Sequence, residues 1–505
     1  MDFSIYSVGD AAFLEQIMIA VAMATGTGDF ERMVSIGLLI GALIISFQSL
    51  FQGAKSWDLH QVFACWLVYA ISFGAGVTVT IEDAYNGQVR VVDNVPVGPA
   101  AAGSIISSVG FGLTKLFEVA YSPVASVTES KFMDSLELLS KLRNHEMESA
   151  LWTVWNDSLG GGAVDMKKSL TNYISECTAI KFSLGESNED QINTENWRTA
   201  LRFDSQIYGT RLYLSPSGPT DPSCTDGWIQ LSQSFETAFN SGLSQQALGY
   251  LLSTTDAMNA TSDALYRLQV TNVAAGDFIK ANFLQPIVQR GFAQYYSDMN
   301  DPYAQIMLTQ AESQRNTQYA AEQSLFVKSI QPLMTLVEGF AYAITPIAAF
   351  VMVLGSKGLL LVGKYLQMLI WVQLWLPIMS VINLFIYIMG QQALAKYTTG
   401  NLSSFEGVAY AGAEIERWIG IGGMMAAATP VLSLMLVTGS VYAFNSLAQR
   451  VGASDTVNEK LMSPDLVDRG SVLSQQPQFN QSRIAGTMTS GGESLVDSIN
   501  LGSTV

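Results

Sequence analysis

One stretch decides the fold class of this chain: Leu359–Gly390 reads LLLVGKYLQMLIWVQLWLPIMSVINLFIYIMG. From Leu366 onward it carries no charged side chain for about 25 residues, enough for a helix to cross about 30 Å of hydrocarbon. Pro377 lies inside the stretch, and Gln373 and Asn383 are polar residues that need partners within a membrane bundle. The stretch therefore predicts a membrane helix that packs among other helices.

The composition also indicates a membrane protein and argues against several classes of enzyme. Of 505 residues, 49% are hydrophobic and 14% are charged, whereas soluble domains average about 25% charged residues. The net charge of −17 disfavours a nucleic-acid-binding surface on the soluble parts. The sequence has no phosphate-binding loop, no HExxH and no paired CxxC motif. We therefore expect no enzymatic activity, no cofactor and no metal site.

Four further apolar segments bring the prediction to about five transmembrane helices. They are Met33–Phe51, Gln61–Ile81, Leu336–Leu354 and Trp418–Phe444. Gly37 and Gly41 form a GxxxG pair that permits close approach of another helix. Before the first segment, residues 1–32 are predicted to form an interfacial helix, with a re-entrant segment as the alternative.

Prolines and one acid mark the three C-terminal segments. Each of these segments contains a central proline, Pro346, Pro377 or Pro430, which predicts kinked helices. Glu338 lies near the start of its segment, where a carboxylate is less costly than at a helix centre. We expect Glu338 to be solvated at the interface, with a role in helix pairing or in a transport pathway as the alternative.

The segment VRVVDNVPVG (residues 89–98) differs from its surroundings. Asp93, Asn94, Pro96 and Gly98 are turn-forming residues, placed between a strand-like run and a weakly apolar helix near 103–120. This segment resembles the one that follows the second span in the TraG N-terminal family of conjugative type IV secretion systems. The LIWVQLWLPI run within the opening stretch resembles a membrane helix of the same family.

The resemblance extends, in order and with similar spacing, over nearly all of residues 1–450. It implies an inner-membrane protein that supports DNA transfer and mating-pair formation. Family members of F-type systems carry a long additional C-terminal domain with roles in mating-pair stabilisation and exclusion. Here about 55 residues of polar tail follow the last span, so the resemblance supports the membrane role more strongly than the exclusion role.

Residues 121–332 are polar and numerous enough to form a domain, which we expect to be mainly helical. Residues 215–227 are predicted to be an irregular loop. Cys177 and Cys224 are the cysteines of this region, and they should form a disulfide if the domain lies outside the cytoplasm. The family resemblance implies a similarly placed cysteine pair, and two free buried thiols are the alternative.

The distribution of basic residues predicts the topology. Lys55, Lys357, Lys364 and Arg450 fall at the ends that we assign to the cytoplasm, which favours an external N-terminus and an internal C-terminus. The N-terminus and the central domain would then be periplasmic, in agreement with the expected disulfide.

The sequence therefore predicts an all-α polytopic membrane protein with a large, mainly helical periplasmic domain between spans two and three. The predicted divisions are an interfacial segment (1–32), two spans (33–82), a juxtamembrane turn and amphipathic helix (83–120), the periplasmic domain (121–332), three spans (333–450) and a disordered tail (451–505).

Our leading functional hypothesis is a scaffold or channel subunit of a conjugative type IV secretion system. Its expected partners are membrane lipid, the periplasmic core and cytoplasmic ATPases of that system, further copies of the chain, and DNA in transit. The alternative is a mating-pair stabilisation or exclusion protein that acts through its periplasmic domain. An enzyme would need a catalytic carboxylate, but Glu137, Glu146 and Glu148 have the spacing of a solvated helix face. A secondary transporter would normally show repeated halves, and none is apparent.

Overall fold

The computed structural model describes residues 2–51, 59–84, 87–120, 127–130, 132–143, 145–187, 191, 195–271, 273–298, 331–395 and 402–439. The described chain is mostly helical and contains one small sheet, which confirms the predicted helical membrane-protein class. The predicted tail (451–505) lies outside the described residues.

The N-terminal part alternates strands with apolar helices. In chain order it comprises β1 (Asp2–Ser7), α1 (Ala11–Thr25), α2 (Gly28–Phe51), α3 (Leu59–Phe73), β2 (Gly76–Asp83), β3 (Val89–Pro96) and α4 (Val97–Ala120). The strand order is β1-β2-β3, with β1 parallel to β2 and β2 antiparallel to β3. One set of apolar side chains from the sheet is buried together with those of α1, namely Ile5, Val79, Ile81, Val92 and Val95.

The prediction of an interfacial helix for residues 1–32 is incomplete. Residues 2–7 form a strand, and α1 buries Leu14, Met18 and Val21 in the main core. A bend of 68° separates α1 from the first part of α2. The pairing of β1 with a strand more than 70 residues later could not be read from local sequence, because only the folded chain brings the two segments together.

The predicted second span, Gln61–Ile81, is wrong in its second half. The helix ends at Phe73, and Gly76–Asp83 is a strand instead. The physical signal was present in the alternating, β-branched run VTVTI at 77–81, which fits a half-buried strand better than a helix.

The predicted turn at Asp93–Gly98 is also corrected. Asp93, Asn94 and Pro96 belong to β3, and Gly98 lies in the first turn of α4. Asn94 has a φ of 64°, and the pairing register shifts opposite it, between Val77 and Val79. A β-bulge therefore accommodates these turn-forming residues within the strand.

Short helices dominate the central part of the chain. They are α5 (Val127–Ser130), α6 (Asp134–Lys141), α7 (His145–Ser158), α8 (Met166–Tyr173), a π-helical turn (Ile174–Thr178), α9 (Ala179–Ser183), α10 (Trp197–Leu201), α11 (Cys224–Phe239), α12 (Gly242–Leu252), α13 (Ala257–Arg267) and α14 (Ala275–Asp298). The predicted loop at 215–227 ends earlier, because Ser223 caps α11 and the helix begins at Cys224.

The C-terminal part consists of five helices. They are α15 (Gln331–Ala343), α16 (Thr345–Met352), α17 (Ser356–Gln373), α18 (Trp375–Ala395) and α19 (Phe405–Thr438). Pro346 and Pro377 lie in the first turns of α16 and α18, where a missing N–H costs little. Pro430 lies inside α19. Residues 391–395 belong to α18, and residues 405–417 belong to α19.

Four described helical segments are long and apolar enough to cross a membrane, and a fifth results if the bent α1–α2 pair is one span. The four are Val97–Ala120, Pro332–Met352, Leu360–Ala395 and Phe405–Thr438. The amphipathic helix expected near 103–120 thus reaches spanning length as α4. The long helices predicted for residues 277–328 are described only as far as Asp298.

Candidate functional site at the junction of the membrane helices and the central domain

Helices α18 and α19 form a hairpin, and the segment in which α17 precedes α18 is longer than a bilayer requires. At 1.5 Å per residue, the 36-residue segment Leu360–Ala395 measures about 54 Å, against about 30 Å of hydrocarbon. The excess length ends among the central helices. Leu394, Phe405, Val408 and Ile415 of the hairpin are buried in the same hydrophobic core as the central domain.

Asn383 and Tyr387 of α18 fix the start of α6. The backbone N–H of Met133 donates to Asn383 Oδ1 at 3.0 Å, and that of Ser135 donates to Tyr387 Oη at 3.1 Å. Both N–H groups lie at the N-terminus of α6, where they have no acceptor within the helix itself. Two side chains of the membrane hairpin therefore cap this helix of the central domain. Asn383 thus finds a buried partner as predicted, although the partner is backbone and not another membrane helix.

A buried ion pair joins the same region to α19. Arg143 Nη1 lies 3.2 Å from Glu416 Oε1, and both side chains are only 8% exposed. The guanidinium lies directly on Gly412, where a side chain would occupy the same space. Removing one partner of such a pair leaves a buried charge without compensation, so the contact fixes α19 against the residue that follows α6.

Three further side-chain contacts hold the end of the hairpin. Gln391 Nε2 donates to the Arg267 carbonyl at 2.8 Å, and Asn196 Nδ2 donates to Ser403 Oγ at 3.1 Å. Gln285 of α14 reaches the Phe405 carbonyl at 3.5 Å. The end of α18 and the start of α19 therefore pack against the central helices.

A disulfide and an aromatic cluster build the centre of the domain. Cys177 and Cys224 are bonded, with their Cα atoms 5.8 Å apart, and both are fully buried. The predicted pairing is thus present in the structure. Trp155 lies edge-on to Phe235 and to Phe283 and donates its indole N–H to Ser244 Oγ at 2.8 Å. These contacts join α7, α11, α12 and α14 into one core.

The charged contacts of the central domain converge on Glu236. Lys280 Nζ lies 2.5 Å from Glu236 Oε2, and Arg198 contacts the other carboxylate oxygen. Burial raises the pKa of Glu236, but the hydrogen bonds from Lys280 and Arg198 outweigh burial and hold this pKa below its usual value. The Lys280 side chain is 7% exposed, so Glu236 neutralises a buried ammonium. Burial also raises the pKa of Tyr173, whose hydroxyl accepts from the Phe203 N–H.

The comparison with protein families decides what kind of chain this is. The model described as "TraG-like protein, N-terminal region" matches residues 4–459. The chain belongs to the TraG N-terminal family. No curated protein and no solved structure matches it. The resemblance stated from residues 89–98 is confirmed, and with it an association with conjugative transfer.

In this TraG-like chain, Gln373 and Pro377 lie on either side of the break before α18, and Pro430 lies inside α19. Gln373 ends α17, and Leu374 separates it from α18. Trp371 Nε1 donates to the Pro430 carbonyl at 2.7 Å, which joins the broken segment to the proline-containing part of α19. Gln373 Nε2 donates to the Tyr6 carbonyl of β1 at 3.2 Å and, over a longer distance of 3.4 Å, to Glu338 Oε1 of α15.

Glu338 is buried, which contradicts the expectation that it is solvated at the interface. It is 1% exposed, and its carboxylate accepts hydrogen bonds from Ser7 Oγ and from the N–H groups of Val8 and Gly9. Position near a helix end suggested solvent contact, but the N-terminal segment covers this part of α15. The alternative, a pairing role, describes the observed contacts better.

The GxxxG pair of α2 contacts another helix. A side chain on Gly41 would lie 2.6 Å from the Val353 carbonyl oxygen, and one on Gly37 would lie 2.8 Å from the Phe350 ring. Both glycines therefore permit close packing on α16.

Of the three acidic residues considered for catalysis, Glu137 is the one whose side chain the structure describes. Glu137 is half-buried on α6 and lines a cavity with Lys141 and Asp263. The side chains of Glu146 and Glu148 lie outside the described set. Among the described residues, no group of three or more His, Cys, Asp or Glu side chains is placed to hold a metal ion.

Proposed function

We propose that this TraG-like chain is an inner-membrane scaffold or channel subunit of a conjugative type IV secretion system, assembled from several copies. The observation that carries the proposal is the α18–α19 hairpin, whose apolar helices continue into the core of the central domain. A subunit built this way would join its membrane helices to the central domain through packed helices.

The disulfide supports a periplasmic central domain, because structural disulfides persist in oxidising compartments. The contact between Asn196 and Ser403 supports the same compartment for the end of the hairpin. With the N-terminus outside and the C-terminus in the cytoplasm, the chain would connect the periplasmic core to the cytoplasmic ATPases. It would carry no enzymatic activity of its own.

DNA crosslinking during active conjugation tests the proposal. DNA in transit is crosslinked in donor cells, and the chain is then isolated and examined for bound DNA. A strain without the transfer ATPase is the control. ATPase-dependent crosslinks would support a channel subunit. No crosslinks, together with loss of transfer on deletion, would support a scaffold, whereas unchanged transfer on deletion would contradict both.

The second candidate is a mating-pair stabilisation or exclusion protein. It is favoured by apolar and aromatic side chains on the surface of the central domain, among them Ile207 (92% exposed) and Tyr250 (86% exposed). Exposed aromatic residues are common anchors in protein interfaces. Replacing both by serine should reduce stable mating aggregates under this second function, but leave transfer between cells held on a solid surface unchanged.

A further inference from the structure

We propose that Glu338 and Gln373 form a proton-binding site, in which a proton on Glu338 Oε1 is donated to the side-chain oxygen of Gln373. The site lies where β1, α15 and α17 meet, inside the helical bundle. The ligand is a proton taken from water, and its binding converts a carboxylate into a carboxylic acid with no other bond formed or broken.

The two oxygens of Glu338 are held unequally. Oε2 accepts two short hydrogen bonds, from Ser7 Oγ at 2.8 Å and from the Gly9 N–H at 2.7 Å. Oε1 accepts from the Val8 N–H at 3.1 Å and only distantly, at 3.4 Å, from Gln373 Nε2. Oε2 is therefore committed to the N-terminal segment, while Oε1 has capacity for a stronger partner.

The Gln373 side chain supplies that partner. Its oxygen is buried without a hydrogen-bond partner among the described residues, and the whole residue is 3% exposed. A buried acceptor without a donor is unfavourable, so this amide oxygen is a position where an added donor is stabilising. A protonated Oε1 is such a donor once the amide turns its oxygen toward Glu338.

The charged groups around the site do not neutralise the carboxylate. Asp83 on β2 is the acid whose charge acts on it, and Tyr342 lies one turn along α15. On α1, Glu15 is engaged with Arg90 at 3.8 Å, and Asp10 caps its own helix.

The other neighbouring helices, as far as they are described, also place no positively charged side chain beside Glu338. Those α4 residues that reach the site, Gly103, Ser107 and Gly110, are uncharged. On α17 the Tyr365 hydroxyl is engaged with Thr345. Within the described chain no lysine or arginine pairs with Glu338, so a proton is the cation that the arrangement favours.

Proton binding at this position would act on the helix break. In the present arrangement Gln373 Nε2 holds the Tyr6 carbonyl of β1, whose N–H donates to Ser107 Oγ on α4. Turning the amide toward a protonated Glu338 releases the Tyr6 carbonyl. Gln373 is the last residue of α17, and Leu374 is the break before α18. The proton would therefore loosen the contact between β1 and this break.

Infrared spectroscopy of the full-length protein in lipid tests the proposal directly. A pH titration is followed in the carbonyl-stretching region of protonated carboxylic acids, over the range in which the Cys177–Cys224 disulfide domain stays folded. We expect one band that shifts with 13C-labelled glutamate, disappears in Glu338→Gln and persists in Asp83→Asn. The band should move to higher frequency in Gln373→Met, which removes the acceptor.

Each contrary result would overturn the proposal. No glutamate band throughout the titration would show that Glu338 stays ionised and is purely structural. A band lost in Asp83→Asn would assign the proton to the other acid. A glutamate band with the same frequency in Gln373→Met would exclude the shared site. If Glu338→Gln fails to fold, two measurements still test the proposal. They are the isotope shift of the band and the frequency of the band in Gln373→Met.

Discussion

At the residue scale, single contacts determine how closely the helices approach. Gly110 of α4 lies against the joint between α17 and α18, and a Cβ there would lie 2.9 Å from the Gln373 carbonyl oxygen. Two residues along, a Cβ on Gly112 would meet no described atom within 4 Å. The sequence alone does not separate these two glycines, because both lie in the same weakly apolar helix and only the packing partner differs.

Replacing each glycine by alanine tests this packing. Gly110→Ala should lower the thermal stability of the purified protein, because a backbone oxygen cannot move aside as a flexible side chain can. Gly112→Ala is the matched control and should be neutral or stabilising by up to about 1 kcal/mol, since alanine favours helix. Equal melting temperatures for the two variants would contradict the observed α4–α17 contact.

The disulfide is the second feature tested by single residues. Cys177 and Cys224 are 47 residues apart in the sequence. In the simple chain-entropy model, closing a loop of this length contributes roughly 4 kcal/mol to the stability of the fold. Cys177→Ser with Cys224→Ser should therefore reduce the resistance of the central domain to urea and proteolysis. The control is Cys65→Ser, which leaves the pair intact. Alkylation of both Cys177 and Cys224 in native protein without reductant would contradict the assignment to an oxidising compartment.

At the element scale, hydrogen bonds and ion pairs between distant helices fix the central domain. Glu236 on α11 holds Lys280 on α14 and Arg198 on α10 together. Because the folded-state pKa of Glu236 is lowered, its contribution to stability is fully present above the unfolded pKa of about 4.3. The contribution is lost as the pH falls through the lower, folded-state pKa.

Glu236→Gln should thus destabilise the protein at neutral pH, on the order of 2 kcal/mol, because Lys280 keeps its buried charge. The difference from the wild type should shrink as the solution is acidified below about pH 4. Chemical unfolding of both proteins across this range measures the effect. A difference that stays constant in acid would show that the carboxylate charge contributes nothing.

The elements also show which parts of the fold sequence reasoning can reach. The long apolar helices, the proline-containing C-terminal segments, the GxxxG contact and the cysteine pair follow from hydropathy, spacing and resemblance. The parallel pairing of β1 with β2 and the burial of Glu338 depend on contacts across 70 to 330 residues of sequence, which no local pattern records. The strand at 76–83 was accessible from its β-branched alternation, but its neighbouring apolar helix obscured it.

At the scale of the whole molecule, the division into membrane spans and a separate domain does not describe the chain well. The central domain is completed by the ends of α18 and α19, which supply its buried residues and cap α6. Residues 121–332 by themselves would expose the surface that the hairpin covers. Hydropathy alone does not reveal this arrangement, because polar residues on the helix surfaces near 391–395 and 405–417 conceal the apolar faces.

A disulfide between two introduced cysteines in living cells tests the central claim most directly. Asn196 and Ser403 touch across the junction, so Asn196→Cys with Ser403→Cys, in a Cys65→Ser background, should form a crosslink without added oxidant. Asn196→Cys with Gly420→Cys is the control and should remain free. A spontaneous, specific 196–403 crosslink is the predicted result and would establish both the inserted hairpin and its periplasmic side. Free thiols at 196 and 403, reached by a membrane-permeant reagent but not by an impermeant one, would contradict the account.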